Sequence, residues 1–332
     1  MDVTTKLITS QLSHKLLKDK KVLVTGGAGF LGSWLCETLI WLGARVTCLD
    51  NLSTGKIENI KHLGTFENFS FVKADVAEFC PDGFDYIIHG ASLPSPDDYM
   101  RRPVEAMLPN SLGLLKCLEN ARKDHSVLLY LSTSEVYGDA EVIPTPEAYW
   151  GKVNPISLRS CYDESKRFGE ALCMAYFRQY NVDVRIARIF NTFGPRLDIN
   201  VEYARVIPKF IIQALRYEPI TVHGDGKQTR SFCYVSDMVV GLLKFMICEE
   251  CRGEVMNFGN PHEITILELA HLIKKLTNSQ SEIIFLHSRP DDPRRRSPDI
   301  SKARKLLNWE PKVSLNNGLS YTIEWFKEMM KR

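Results

Sequence analysis

A short apolar run, Lys21–Thr25 (KVLVT), leads straight into GGAGFLG at 26–32, and a helical pattern follows over 30–42. This is the feature that most restricts the fold. A strand that feeds a helix through so tight a turn needs residues that reach backbone angles closed to other side chains. Glycines also let a pyrophosphate approach the helix N-terminus, where free N–H groups and the dipole favour negative charge. With strand and helix both in place, the pattern predicts a dinucleotide-binding loop of Gly26, Gly29, Phe30, Leu31 and Gly32. Without those flanks it would read as an ordinary glycine-rich turn.

Further apolar runs at 45–49, 71–73, 84–88, 127–131 and 182–189 alternate with helical patterns at 103–122 and 162–180. Such a βαβ series predicts an α/β fold, a Rossmann-type doubly wound parallel sheet. Beyond it, short strands near Ile220 and Glu254 are interleaved with helices at 205–217, 237–248, 267–276 and 315–331. These predict a smaller C-terminal α/β substrate lobe. The expected organisation is a polar N-terminal extension over 1–20, a dinucleotide-binding domain over 21–192, and a second lobe over 193–332, partly interleaved with the first.

Asp50 ends the second apolar run, where an acid would hold the adenosine ribose hydroxyls. A carboxylate there would repel a 2′-phosphate, so NAD is favoured over NADP. Asn51 continues the same turn. Asp75 and Val76, after the third run, are candidates to flank the adenine, although a strand-end acid is often only a turn residue.

Tyr162 and Lys166 are four residues apart in YDESK, on one face of a helix. A free phenol has a pKa of about 10 and is a poor base at neutral pH. A nearby ammonium and the positive charge of an oxidised nicotinamide would favour phenolate and make Tyr162 a general base. Tyr-x-x-x-Lys alone is common by chance. LSTSEVYG at 131–138 adds weight, because it follows a buried strand at the sheet edge where ligands sit. Thr133 there is placed to bind a reacting oxygen. Glu135 is a candidate acid or base, or else a loop carboxylate in water.

The glycine loop, Thr133, Tyr162 and Lys166 together resemble the extended short-chain dehydrogenase/reductase family. Within it, STSEVYG, YWGKVNP, SCYDESKR, ARIFNTFGPR and QTRSFCYVSD are most similar to the UDP-glucuronate decarboxylases, as is the loop ASLPSPDDYM. The pair Ser134-Glu135 favours that branch, since dehydratases typically carry Asp-Glu there and many epimerases lack the glutamate. The resemblance implies NAD-dependent decarboxylation of UDP-glucuronate to UDP-xylose through a 4-keto intermediate. It implies catalytic roles for Thr133, Glu135, Tyr162 and Lys166, a substrate contact at Ser134, and a grip on the nucleotide by Asn191, Arg205, Arg230 and Arg289. Asp292 would meet the ribose, and Arg159 would be near the sugar carboxylate. A UDP-sugar 4-epimerase or a nucleotide-sugar 4,6-dehydratase is the alternative. A non-catalytic NAD-binding sensor is another, disfavoured because a sensor need not keep all three of Thr133, Tyr162 and Lys166. The family also implies a homodimer through the helices at 103–122 and 162–180.

Other residues bound the partners. A net charge of +2 argues against nucleic acid but allows a local basic pocket. The run Arg294-Arg295-Arg296 reads as a solvated patch, and His89 and His223 read as structural. Residues 1–21 are polar and lysine-rich, predicting neither a signal peptide nor a membrane span. The nine scattered cysteines fit a reducing compartment, and the cytoplasm is expected. Cys248 and Cys251 have the spacing of a metal knuckle, but no second pair completes it, so no metal is expected.

Overall fold

The computed structural model describes residues 2–198, 205–287 and 294–331. Its first six strands are β1 (Lys21–Thr25), β2 (Arg45–Asp50), β3 (Phe69–Lys73), β4 (Tyr86–His89), β5 (Val127–Thr133) and β6 (Asp183–Ile189). They form a seven-stranded sheet with Val255–Phe258, in the order Val255–Phe258, β6, β5, β4, β1, β2, β3. Every neighbouring pair is parallel. Parallel strands covered on both faces read as unbroken apolar runs. Accordingly, every residue of β1 after Lys21 is buried, and so is every residue of β5 after Val127. The chain order reverses between β1 and β4, which leaves a crevice beyond their C-terminal ends.

The second half of the chain also builds this sheet, because Val255–Phe258 pairs with β6 in register Val255↔Ile186 to Phe258↔Ile189. The helix Val235–Ile247 packs into the same apolar core as Trp34 and Leu39 of the helix Phe30–Trp41. Smaller paired strands flank the crevice. Ile220–His223 runs parallel to Ile283–Leu286, and Thr229–Ser231 antiparallel to Glu263–Thr265.

Three local features depart from the sequence reading. The run over 103–122 is not one α-helix: Pro103–Met107 and Leu114–Asp124 are joined by a wide turn at Pro109–Gly113. Pro109 has no N–H to donate, and the ladder opens so that Gly113 N donates to Leu108 O at 3.0 Å. The polar extension contains a helix, Val3–Thr9, capped by Asp2 through a 2.7 Å bond from Thr5 N. Thr4 Oγ1 meets Tyr234 Oη at 2.7 Å and docks that helix on the second half of the chain. Finally, Cys248 and Cys251 are not free thiols but a disulfide. The tight turn Glu249–Cys251 brings their Cα atoms to 5.3 Å, within the range a disulfide spans.

Candidate active site

A cleft of about 490 Å³ opens beyond the C-terminal ends of β1, β4, β5 and β6. One half is shaped by the glycine loop. Gly26 has φ +68°, and a Cβ there would lie 2.8 Å from the Ala91 backbone. A Cβ on Gly32 would collide with the carbonyl of Gly26, so loop and helix touch backbone to backbone. Gly29 is the N-cap of Phe30–Trp41 and provides no side-chain cap. The first turn of that helix therefore keeps uncapped N–H groups, and its residues Phe30, Leu31 and Gly32 line the cleft with Gly29.

Asp50 closes the far end. It is 7% exposed and accepts bonds from Ala28 N at 3.0 Å and Leu52 N at 2.8 Å. Burial raises its pKa, and the two backbone donors oppose that rise. Beside it, Asn51 Nδ2 donates to Asp75 Oδ2 at 2.9 Å, and Val76 lines the same wall. These residues fit a dinucleotide: a backbone cradle for its phosphates, and carboxylate acceptors at the adenosine end.

The other half gathers the candidate chemical groups. Thr133 ends β5 and, through Oγ1, caps the tight turn Ser134–Tyr137 by accepting from Glu135 N at 3.3 Å. Tyr162, in the first turn of Ser160–Tyr180, stacks on Tyr99 with ring centres 5.1 Å apart and planes within 6°. Burial pushes its phenol up to about 12, against the opposing pull of Arg205 and a hydrogen bond with Thr133. Lys166 is buried, donates to Leu131 O at 2.8 Å and has its ammonium 6.0 Å from the Tyr162 ring. Burial brings it down to about 7, with Glu170 opposing. The lysine alone therefore does not ionise the tyrosine. His89 is fully buried between Thr25 Oγ1 and Pro109 O, each at 3.0 Å, and burial lowers it to about 3, so it is a neutral packing residue.

Glu135 is not a loop carboxylate in water. Its side chain is 17% exposed and lies between two guanidinium groups. Arg159 Nη2 donates to its Oε2 at 2.6 Å, and Arg296 grips both oxygens. Burial alone would raise Glu135, but Arg296 and Arg159 outweigh it and hold the group at about 2. Arg296 also corrects the reading of 294–296 as a solvated patch. Arg295 is exposed and pairs with Glu263, whereas the Arg296 side chain is only 7% exposed and turns inward. The next residues explain why: Thr145 N donates to Ser297 O at 2.9 Å and Ser297 Oγ to Pro261 O at 3.0 Å, pinning this segment beside the cleft. A run of three arginines carries no signal of which one turns inward.

Ser134, Asn191, Arg205 and Arg230 also line the cleft, with Thr221 and His223 near its rim. Arg289 and Asp292 lie outside the described residues. Among the described residues no group of three or more His, Cys, Asp or Glu is placed to hold a metal.

Residues 22–259 match the NAD dependent epimerase/dehydratase family. The chain belongs to that family. The UDP-glucuronic acid decarboxylase 1 of Xenopus tropicalis is 48% identical over 312 residues, which are 94% of this chain and 73% of that protein. An epimerase from Methanothermobacter thermautotrophicus superposes with a TM-score of 0.87 at 33% identity, covering 99% of this chain and 98% of that one. A UDP-glucuronic acid 4-epimerase variant from Bacillus cereus, solved with UDP-4-deoxy-4-fluoro-glucuronic acid and NAD, superposes at 0.85 with 29% identity, covering 93% and 99%. The cofactor of this chain is NAD, in keeping with the family and with the glycine cradle.

Proposed function

We propose that this chain is a UDP-glucuronate decarboxylase that forms UDP-xylose through a 4-keto sugar. The observation that carries the reading is the Arg159–Glu135–Arg296 cluster beside Tyr162 and Thr133. Two cations facing one carboxylate suit an acidic sugar, and the decarboxylase relatives point to UDP-glucuronate. NAD, which the Gly26–Gly32 loop and Asp50 would hold, would supply reversible hydride transfer at C4 of the sugar.

The chain's own residues do the rest. Tyr162 Oη accepts the proton of the C4 hydroxyl. Its raised pKa means that it starts as a phenol unless a further positive charge lies beside it. Once C4 is a ketone, the C6 carboxylate is β to a carbonyl. The C5–C6 bond breaks, carbon dioxide leaves, and the electron pair moves into an enolate oxyanion at C4, where Thr133 and Tyr162 can donate hydrogen bonds. C5 then takes a proton from water, and Tyr162 Oη returns its proton to the C4 oxygen when the ketone is reduced. Glu135, held ionised by its two arginines, orients the ring. Lys166, its ammonium 6.0 Å from the Tyr162 ring, favours the phenolate when protonated, and Ser134, Asn191, Arg205, Arg230 and Arg289 hold the UDP-sugar. Incubation with UDP-glucuronate and NAD, followed by mass spectrometry, tests the proposal. Release of carbon dioxide with UDP-xylose supports it, whereas C4 inversion with the carboxylate retained replaces it with the epimerase reading.

The same reading includes a homodimer. Val104, Leu112, Leu115 and Phe168 are 69%, 49%, 38% and 51% exposed on the helical segments at 103–124 and 160–180. A second copy covering these apolar side chains would remove that surface from water. Sedimentation of the wild type and of Phe168→Asp tests this: a wild-type monomer refutes it. Among the described residues no helix is long and apolar enough to cross a membrane. A cytoplasmic setting is part of the same reading: seven cysteines are free thiols, the Cys248–Cys251 disulfide runs against it, and cell fractionation decides.

A further inference from the structure

Asp163 follows Tyr162 in the first turn of Ser160–Tyr180 and is 6% exposed. Its Oδ1 is out of contact with solvent and has no hydrogen-bond partner. It stands behind the cleft wall rather than in its lining, while its neighbours Tyr162, Arg159 and Glu135 all line the cleft. The charged and titratable groups that face it are Glu135 from the turn after β5, Arg296 from the C-terminal chain, Arg159, Cys161 and Glu164 from the start of its own helix, and Tyr99 and Tyr162.

The charge count of this cluster depends on one proton. Arg159 and Arg296 against Glu135 leave one net positive charge. A sugar carboxylate entering the cleft would neutralise it. If Asp163 were ionised, the cluster would be neutral before the sugar arrived and negative afterwards, in a site where charge is poorly screened. A buried carboxyl with an orphaned oxygen and a carboxylate neighbour favours the neutral form. We infer that Asp163 is a positioning residue that, by staying protonated, leaves Glu135, Arg159 and Arg296 with the single positive charge that receives the sugar carboxylate. Its titration supports this. Burial first, then Glu135, raise Asp163 to about 7, with Arg159 and Arg296 opposing. The inference rests on the reading of the cleft as a UDP-glucuronate site.

The sign follows directly. Below pH 7 Asp163 is neutral and the acidic sugar is attracted. Above it Asp163 ionises and the attraction is lost. The sugar carboxyl stays ionised throughout, as its ordinary range is near pH 4. The experiment measures KM for UDP-glucuronate and Ki for UDP-glucose in one assay on the NAD-loaded enzyme from pH 6 to pH 8.5. UDP-glucose keeps the nucleotide and lacks the carboxylate, so any pH effect on nucleotide binding cancels in the ratio of Ki to KM. That ratio is expected to fall on the order of tenfold from pH 6 to pH 8. Asp163→Asn should flatten it while keeping the low-pH value of KM. A flat wild-type ratio overturns the inference without any variant being needed, should Asp163→Asn fail to fold. A fall that persists in Asp163→Asn also overturns it and assigns the proton to Lys166, the other buried group brought near 7. If no carbon dioxide leaves UDP-glucuronate, the functional reading itself has failed. Carbon dioxide with a flat ratio removes only the role of Asp163.

Discussion

Arg296 grips both oxygens of Glu135 across 161 residues of chain, with Nη2 to Oε2 at 3.0 Å and both side chains largely buried. This ion pair joins the turn after β5 to the C-terminal segment and sets the charge of the cleft beside Tyr162. A buried charge pair is costly to break, because the remaining partner keeps its desolvation cost and loses its compensation.

Arg296→Gln therefore tests the charge of the site. Truncating one partner of a buried pair typically costs about 2–5 kcal/mol. KM for UDP-glucuronate should rise by at least an order of magnitude, while Ki for UDP-glucose should change by less than roughly threefold, since that sugar has no carboxylate to lose a partner. Equal losses for both nucleotide sugars would show that Arg296 only supports the fold.

Tyr162→Phe removes the phenol and keeps the ring that stacks on Tyr99 at 5.1 Å. Turnover should drop by roughly two to four orders of magnitude, the usual scale for a general base. Calorimetry should find NAD binding little changed. Near-normal turnover would take Tyr162 out of the chemistry.

Asp50 should bar NADP. Its carboxylate is fixed by Ala28 N and Leu52 N and lines the cleft beside the glycine loop, where we propose that the adenosine ribose binds. A 2′-phosphate would bring about two further negative charges against it. Calorimetry should show NADP binding at least tenfold more weakly than NAD, with Asp50→Asn narrowing the gap. Equal wild-type affinities would refute the assignment.

Glu37 should govern part of the acid stability. Burial would raise it, but His62 and Arg196 outweigh that and hold it at about 2, against a usual 4.5. His62 Nε2 lies 2.9 Å from its Oε2, and Arg196 pairs with the same oxygen while stacking 3.7 Å above Trp34. A depressed carboxylate pKa contributes stability that is complete above about 4.5 and lost as the pH falls towards 2. The amount is on the order of 3 kcal/mol, from about 1.4 kcal/mol per unit of pKa. In urea unfolding, Glu37→Gln should be less stable than wild type at pH 7, with the gap closing by pH 2.5. A gap that stays constant over that range would contradict this.

Much of the cofactor site was legible in local spacing. The glycines at 26, 29 and 32 and the acid at 50 report a turn and a strand end, and Tyr162 and Lys166 report one helix face. These are short-range relations, and backbone sterics and the 3.6-residue helical period settle them wherever the segment lies. The wide turn at Pro109–Gly113 was less legible, because the same apolar pattern serves a regular helix.

By itself, then, the sequence determined the parallel sheet, the dinucleotide loop and the neighbourhood of Thr133, Tyr162 and Lys166, since each follows from residues a few positions apart. Only the tertiary structure decided that Val255–Phe258 joins β6, that Arg296 rather than Arg295 turns inward to Glu135, and that Asp163 is buried with an orphaned oxygen. The reason is physical. Which charge meets which, and how much water remains around it, depends on chain segments brought together by packing, and no local periodicity encodes that distance.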